Sequence, residues 1–278
     1  MPELPEVETI SRGIAPLVTG KRIVATVVRN PRLRWPVELP ERVSGQRIIT
    51  VYRRAKYLLL CLETGCLIVH LGMSGSLRIV PDTTKPGKHD HVDLKLDDGH
   101  LLRLNDPRRF GSLHWHEGPP ETHWLLAKLG IEPLTETFTG TYLKKQARGR
   151  RLAVKNFIMD GRIVVGIGNI YANEALFCAG IRPSVRAGRV TAAGYDNLVF
   201  AIREVLREAI KMGGTTLRDF VNQDGNPGYF KQSLYVYDRA GRPCRRCAVP
   251  IKVLKSAQRT TYFCPKCQRT QGFRGDKW

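Results

Sequence analysis

The first half of the chain alternates short apolar runs with polar turn residues. Residues 57–61 and 67–71 form two apolar runs around a Glu-Thr-Gly segment, and residues 92–96 and 101–104 do the same around Asp-Asp-Gly. Short β-rich runs separated by glycine-containing turns are typical of antiparallel hairpins. The pattern therefore predicts an antiparallel sandwich or barrel over most of the first half.

Beyond about residue 124 the apolar positions recur at helical spacing instead. One stripe occupies a face of residues 198–209, where the glycines at 213 and 214 are expected to end the helix. A second helix is predicted over residues 3–14. The stripe residues are Leu198, Ile202, Val205 and Ala209 in the first case and Leu4, Val7, Ile10 and Ile14 in the second. The chain therefore reads as an α+β multidomain protein with a hinge at 130–133.

The composition points to a polyanionic partner. The chain has 278 residues, of which 42% are hydrophobic, and 45 Lys and Arg stand against 25 Asp and Glu, a formal net charge of +20. This hydrophobic content is typical of globular proteins and argues against a disordered chain. We find neither an apolar stretch of about 20 residues nor a secretory signal pattern. We expect a cytoplasmic protein with no membrane contact.

The cysteines give the most specific signal. Two Cys-x2-Cys pairs near the C-terminus have the spacing of a four-thiolate zinc site, and they consist of Cys244, Cys247, Cys264 and Cys267. A metal with four protein ligands has no open position for water, so we expect one structural Zn²⁺ ion rather than a catalytic one. Eleven Lys and Arg against one acid in residues 239–278 favour nucleic acid over protein as the partner of this segment.

The extreme N-terminus carries candidate covalent chemistry. If Met1 is removed, Pro2 exposes a secondary amine whose pKa starts near the α-amino value of about 8. The positive end of the predicted helix should depress that pKa further, and attack on a sugar carbon would give an iminium ion. Glu3 and Glu6 share the adjacent helix face, where one can act as acid or base and the other can orient the amine. Acidic residues in a first helical turn are, however, ordinarily partners of the helix dipole.

A glycine-rich turn and several basic loops indicate phosphate and base contacts. The turn at Gly166 and Gly168 leads into Asn169 and a helix, which is suited to a backbone phosphate; a close helix corner is the alternative. Basic and apolar residues also occur together at the predicted strand ends. Met73 and Phe110 lie beside basic residues in predicted turns. A side chain that inserts between stacked bases would be presented in this way.

Five segments and the cysteine finger together resemble the bacterial formamidopyrimidine-DNA glycosylase family. The segments are Pro-Glu-Leu-Pro-Glu-Val-Glu-Thr at 2–9, Arg-Arg-Ala-Lys-Tyr-Leu-Leu at 53–59, His-Leu-Gly-Met-Ser-Gly at 70–75, Asp-Pro-Arg-Arg-Phe-Gly at 106–111 and Gly-Ile-Gly-Asn-Ile-Tyr at 166–171. The resemblance runs from Pro2 to Cys267. It implies a DNA repair enzyme that excises oxidised purines, chiefly 8-oxoguanine opposite cytosine and formamidopyrimidines, and then cuts the strand by β,δ-elimination.

The resemblance also implies an architecture and a partner. We expect an N-terminal helix and antiparallel β-sandwich at 1–130, a helical helix–two-turn–helix domain at 131–234 with a lesion loop at 213–232, and a zinc finger at 235–270. Residues 271–278 are predicted to be a disordered tail. The expected partner is damaged double-stranded DNA, bound by a monomer associated with the nucleoid.

The resemblance assigns roles residue by residue. It implies Pro2 as the Schiff-base nucleophile, Glu3 as acid/base, Lys56 in β-elimination and Arg259 in δ-elimination, and we keep Glu6 beside them as a catalytic candidate. The DNA-contact candidates are His70, His89, Arg108, Arg150, Lys155 and Asn169. The base-stack wedge candidates are Met73, Arg108 and Phe110. The lesion-contact candidates are Thr215, Thr216 and Tyr237.

Two other functions remain open at this point. One is an endonuclease VIII-like enzyme, which would use the same amine and finger on oxidised pyrimidines. The other is a non-enzymatic, zinc-dependent nucleic-acid-binding protein.

Overall fold

A computed structural model describes residues 2–214, 233–256 and 259–269 of the chain. These residues group into two compact units. The first unit consists of the described residues up to Lys128 together with residues 210–214, and the second of Leu129–Ala209 together with the described residues from 233 onward. The predicted lesion-loop residues Thr215 and Thr216 and the predicted tail at 271–278 lie outside the described residues.

The first unit contains one complete α-helix, two short 3-10 helices at Glu41–Val43 and Pro120–Thr122, and eight strands among its described residues. Their bounds are α1 Leu4–Val18, β1 Ile23–Val28, β2 Ile48–Arg54, β3 Tyr57–Leu62, β4 Gly65–His70, β5 Ser76–Pro81, β6 Asp90–Leu96, β7 His100–Asn105 and β8 Ser112–Glu117. They form two antiparallel four-stranded sheets, ordered β1-β6-β7-β5 and β2-β3-β4-β8. Both hairpins predicted from the apolar runs are present, as β3–β4 and β6–β7.

One hydrophobic core joins the two sheets and α1. The buried residues that α1 contributes include Val7, Ile10 and Ile14, the predicted stripe. The sheets contribute alternate residues, among them Leu58, Leu60, Leu67, Val69, Leu77, Val92, Leu94, Leu102, Leu104 and Leu113. Because strand side chains alternate between faces, only one face of each sheet enters this core. The fold is the predicted sandwich, and the helix is longer than predicted because it continues past residue 14 to Val18.

The second unit is mostly helical. Its helices are α2 Gly140–Ala147, α3 Val154–Ile158, α4 Asn169–Cys178 and α5 Ala192–Lys211, the last two residues of which belong to the first unit. Among its described residues, one hairpin pairs β9 Lys252–Ser256 with β10 Arg259–Phe263. The α5 stripe is buried as predicted, since Leu198, Ile202, Val205 and Ala209 are at most 8% exposed. None of the helices in the described part of the chain combines the length and apolar character needed to cross a bilayer.

Candidate active site and nucleic-acid contacts

Pro2, Glu3 and Glu6 lie together at the start of α1. Pro2 is buried, and Glu3 and Glu6 are only 3% and 2% exposed. The two glutamates form a reciprocal capping box, in which the Glu3 backbone N–H donates to Glu6 Oε2 at 2.8 Å and the Glu3 carboxylate accepts from the Glu6 N–H. The box fixes both carboxylates next to Pro2 in the chain, at the positive end of the helix.

Gly214 lies close to the Glu6 side chain at the start of α1. Its φ is +85°, and a Cβ atom built there would lie 3.0 Å from Glu6 Oε1 and 3.1 Å from Glu6 Cγ. A side chain at this position would therefore be strained and would press on the buried carboxylate. The glycine predicted as a helix end thus also leaves room for the Glu6 side chain.

Lys56 lies in a two-residue turn that α1 supports. The turn joins β2 to β3, and its first residue, Ala55, has φ +55°. Arg53 donates to Glu8 Oε2 of α1 at 2.8 Å and to the Ala55 carbonyl at 3.0 Å. Burial alone would raise the pKa of Glu8, but hydrogen bonds from Arg53 and Arg12 lower it. The ionised Glu8 therefore holds the turn that carries Lys56.

His70 is held as a neutral imidazole with a defined tautomer. Burial and the cations Lys56 and Arg34 lower the pKa of His70 to about 4, against the opposing effect of Asp106. The Gly72 backbone N–H donates to His70 Nδ1 at 3.0 Å, so the ring hydrogen sits on Nε2. The structure therefore presents Nε2–H as a hydrogen-bond donor near neutral pH.

The three wedge candidates lie on two turns, and the buried side chain of Asp106 links these turns. The Asp106 carboxylate accepts from Ser74 Oγ at 2.9 Å, from the Gly111 N–H at 2.7 Å and from the Arg108 N–H at 3.3 Å. Asp106 is fully buried and Ser74 is 4% exposed. The turns at 71–75 and 106–111 are therefore fastened to each other through one side chain.

The backbones of the turns at 71–75 and 106–111 are also in direct contact. A Cβ atom on Gly72 would lie 2.4 Å from the Phe110 carbonyl carbon and 2.5 Å from the Gly111 nitrogen, and the φ of Gly72 is +62°. Only glycine allows this approach. The result is a rigid base beneath the wedge candidates.

The wedge candidates themselves are exposed. Met73 is 37% and Phe110 is 45% exposed, and Arg108 also faces solvent. The Arg108 guanidinium lies 5.1 Å from the centre of the Phe110 ring. Exposed apolar side chains on a rigid base suit a contact with stacked bases.

His89 joins this assembly through its backbone. Its carbonyl accepts from the Asp106 N–H at 3.0 Å, and its ring centre lies 6.5 Å from that of His91, whose Nε2 is 2.8 Å from the Asp106 carbonyl. The structure therefore brings His70, His89, Met73, Arg108 and Phe110 to the same end of the sandwich.

In the second unit, Lys155 and Asn169 hold the β9–β10 hairpin. Lys155 is 2% exposed, and its ammonium donates to Thr261 Oγ1 at 2.7 Å and to the Thr260 carbonyl at 3.1 Å. Asn169 Nδ2 donates to the same Thr260 carbonyl at 3.1 Å. These side chains position the strand that begins at Arg259. Their direct contact with DNA stays a prediction.

The remaining candidates of this unit are more open. Arg259 and Arg150 are exposed, and the Arg150 guanidinium lies 5.6 Å from the Phe157 ring centre. Tyr237 is partly buried, with its ring centre 5.1 Å from that of Tyr262, on the hairpin that carries Arg259. The lesion contact predicted for Tyr237 stays a prediction.

The four C-terminal cysteines form the one group with metal-site geometry in the described part of the chain. Their sulfur atoms all lie within 4.8 Å of one another, with Cys244 to Cys267 at 3.9 Å and Cys247 to Cys264 at 3.4 Å. Tetrahedral zinc–thiolate bonds of about 2.3 Å require sulfurs roughly 3.8 Å apart. The Arg246 and Cys267 N–H groups donate to Cys244 and Cys264 Sγ at 3.4 Å. The donor set fits a structural zinc ion.

Comparison with known proteins gives consistent matches along the chain. Residues 1–113 match the formamidopyrimidine-DNA glycosylase N-terminal domain, 129–221 its H2TH domain, and 241–270 the zinc finger found in FPG and IleRS. A formamidopyrimidine-DNA glycosylase of Alkalilimnicola ehrlichii is 59% identical over 277 residues, which is 97% of this chain and 100% of that protein. The chain belongs to the formamidopyrimidine-DNA glycosylase family.

Solved structures of the family have the same fold. The MutM (Fpg) protein of Thermus thermophilus superposes with a TM-score of 0.86 at 39% identity, covering 96% of this chain and 98% of that one. Wild-type Lactococcus lactis Fpg, in complex with DNA containing N7-benzyl-Fapy-dG, gives a TM-score of 0.89 at 32% identity, with 96% and 100% covered. The predicted sandwich, helical H2TH domain and four-cysteine finger are thereby confirmed.

Two positioning residues of this family member were missed from the sequence. Asp106 was noted only as part of a motif, although its carboxylate links both wedge turns. Glu174 of α4 is 1% exposed, and its carboxylate accepts from the N–H groups of Tyr235, Val236 and Tyr237 at 2.7 to 2.9 Å. The only charged residue in a mostly apolar helix was the available signal for Glu174.

Proposed function

We propose that this protein excises oxidised purines from double-stranded DNA and then cuts the strand at the resulting abasic site. The observation that carries the proposal is the buried corner at the start of α1, where Pro2 stands beside Glu3 and Glu6 in a reciprocal capping box. Family membership over nearly the whole chain supports the same chemistry.

In the proposed reaction the Pro2 amine attacks C1′ of the damaged nucleotide once Met1 has been removed. The bond from C1′ to the base breaks, the base leaves with a proton, and the sugar ring opens to give an iminium ion on the Pro2 nitrogen. This cation withdraws electrons and acidifies the C2′ hydrogen, so loss of that proton allows the 3′-phosphate to leave. Glu3 supplies and removes protons, and Glu6 orients the amine through the Glu3 backbone.

The remaining residues of the first unit would grip and distort the duplex. Lys56 and the His70 Nε2–H group would contact phosphates, and the neutral state of His70 makes this donor independent of pH above about 5. Met73, Arg108 and Phe110 would fill the gap left by the everted nucleotide, since chemistry at C1′ requires the base to leave the stack.

The second unit would bind DNA through its basic hairpin. We propose that Cys244, Cys247, Cys264 and Cys267 would hold one Zn²⁺ ion, which would supply structural support to the finger. Arg259 at the start of β10 would meet the phosphates and assist δ-elimination. The exposed Arg150 would add a phosphate contact. We further propose that the protein acts as a monomer, because a damaged nucleotide offers a single reacting sugar.

Borohydride trapping tests the nucleophile. Intact mass spectrometry of the zinc-loaded protein, before and after borohydride with an 8-oxoguanine·C duplex, should show a chain without Met1 and a covalent adduct at Pro2. Pro2→Gly leaves a primary amine in the same place, so it should keep binding to damaged DNA and trap less than the wild type, whereas Pro119→Gly, an exposed control in the same unit, should behave as wild type.

Three results would contradict the proposal. An adduct that maps to an amine other than that of residue 2 would mean that another amine reacts. Base release and strand scission by a chain that retains Met1 would exclude Pro2 as the nucleophile. Equal or stronger trapping on a thymine glycol duplex would favour the oxidised-pyrimidine enzyme.

A further inference from the structure

Cys61 and Cys66 stand directly opposite each other on neighbouring strands. They are Cα partners in the antiparallel register of β3 and β4, at the end of the hairpin that turns through Glu63 and Thr64. Opposed residues of antiparallel strands have Cα atoms about 4.5 or 5.5 Å apart, according to the type of pair. Both distances fall within the range of about 4.4–6.8 Å that disulfides span. The backbone therefore permits a bond between these sulfurs without rearrangement.

The pair faces away from the main core of the sandwich. The neighbouring residues Leu60, Leu62 and Leu67 point into that core, so alternation places Cys61 and Cys66 on the opposite face of the sheet. On this face Cys66 is 1% exposed, whereas Cys61 is partly exposed. A small oxidant in solvent therefore meets the Cys61 sulfur first.

The two thiols are electrostatically unequal. A hydrogen bond from the Cys66 thiol lowers the pKa of Cys61 despite its partial burial, and the Tyr52 hydroxyl adds a second lowering hydrogen bond. The same Cys61–Cys66 contact, together with burial, raises the pKa of Cys66. Glu121 opposes ionisation of both sulfurs. Cys61 is thus the more acidic thiol of the pair, and Cys66 is the one that keeps its proton more tightly.

We propose that Cys61 and Cys66 form a reversible disulfide when a hydroperoxide attacks, with Cys61 as the reacting sulfur and Cys66 as the resolving one. This modification site lies outside the proposed repair chemistry, which uses neither residue. The register of the hairpin supplies the proximity, and the unequal exposure of the two sulfurs supplies the order of events.

The reaction balances in two steps. The Cys61 thiolate attacks one oxygen of hydrogen peroxide, the O–O bond breaks, and the departing hydroxide takes a proton to become water, leaving a sulfenic acid. The Cys66 sulfur then attacks Cys61 Sγ, an S–S bond forms, and the sulfenic oxygen leaves as a second water with the Cys66 proton. The peroxide is reduced, and the two cysteines together lose two electrons.

Cys178 provides a matched comparison within the chain. It is partly exposed like Cys61, yet burial and the nearby Glu174 raise its pKa to about 12, against the opposing effect of Arg246. It lies on α4 of the second unit, whereas the hairpin belongs to the first, and it has no opposed cysteine on a paired strand. Under the same peroxide treatment Cys178 should stay reduced.

Peptide mapping of the full-length, zinc-loaded protein tests the proposal without any substitution. Trypsin cuts after Lys56 and Arg78, and the peptide 57–78 contains Cys61 and Cys66 and no other cysteine. After brief peroxide treatment and alkylation, this peptide should lack two hydrogens and carry no alkyl group, and dithiothreitol should restore both thiols. Zinc release, followed with a chelating dye, reports separately on the finger.

Two variants test the order of events. Cys66→Ser should accumulate a Cys61 sulfenic acid that dimedone traps, whereas in Cys61→Ser the Cys66 thiol should react at least about tenfold more slowly. Cys178→Ser should form the 57–78 disulfide at the wild-type rate.

Several outcomes would overturn the proposal. One is a 57–78 peptide that remains fully alkylated at peroxide levels that oxidise the finger. Others are oxidation of Cys61 to an acid that dithiothreitol does not reverse, a disulfide between two chains, or equal sulfenic acid formation at Cys66 in Cys61→Ser.

Discussion

Replacing Asp106 by Asn tests whether one buried carboxylate positions the wedge. Oδ1 accepts from Ser74 and Arg108, and Oδ2 accepts from Gly111, at 2.7 to 3.3 Å. An amide has one accepting oxygen, so an NH₂ group must face one of these donors. The loss of a hydrogen bond to a charged group in a buried site costs about 1.5–3 kcal/mol. The cost falls on the turn that carries Arg108 and Phe110.

The expected effect is a slower excision step. If the displaced turn must be restored before the base is everted, 1.5–3 kcal/mol corresponds to about a ten- to hundredfold loss in the single-turnover rate. The assay is 8-oxoguanine release from a duplex with protein in excess. Asp97→Asn makes the same change at an exposed position of the same unit and should leave the rate unaltered.

Two further measurements separate positioning from chemistry. An abasic duplex has no base to evert, so strand cutting there should be far less impaired by Asp106→Asn. In a Phe110→Ala background the Asp106 substitution should cost less than in the wild type, because the side chain it positions has gone. An equal loss on both substrates, or full additivity with Phe110→Ala, would refute the reasoning.

Two more predictions follow from the His70 site and the cysteine cluster. The pKa of His70 falls from 6.5 to about 4 on folding, so the unfolded chain binds more protons than the folded chain between these pH values. The free energy of unfolding should therefore decline as pH falls through this window, by about 3 kcal/mol for this residue. His70→Asn, which keeps an acceptor for Gly72, should flatten that decline in urea titrations, and an unchanged pH dependence would contradict the assignment. Cys264→Ser should contain no zinc by elemental analysis. It should bind damaged DNA at least about tenfold more weakly, because the Arg259 phosphate contact is worth about 1.5–3 kcal/mol. Wild-type affinity would show that the position of Arg259 does not depend on the metal.

Features with a local pattern could be predicted from the sequence. The hairpins follow from apolar runs around glycine-containing turns, α1 and α5 from their stripes, and the sulfur cluster from the spacing of Cys244, Cys247, Cys264 and Cys267. Each depends on residues close in the chain. The catalytic candidates Glu3 and Glu6 belong to the same class, because a three-residue spacing places them on one helical turn.

Features that depend on distant segments could not be predicted in this way. The Asp106 carboxylate accepts hydrogen bonds from residues 74, 108 and 111, and the Lys155 ammonium donates to residues more than 100 positions later in the chain. Lys155 was predicted as a DNA-contact residue. Its ammonium is buried against β10, and a direct contact with DNA stays a prediction. No periodic signal marks a polar side chain whose partners come from another element.

The polar attachment of the finger to α4 limits how far this module can be moved between proteins. Asn169, Asn173 and Glu174 project from one helix and bind the Thr260 carbonyl, the Tyr262 N–H and the N–H groups of 235–237, respectively. The cysteine cluster lies within the finger, while these three side chains, together with Lys155 of α3, give the finger its orientation. A graft of the finger onto a foreign scaffold would therefore point in no fixed direction, unless the receiving helices carried these residues at the same spacing.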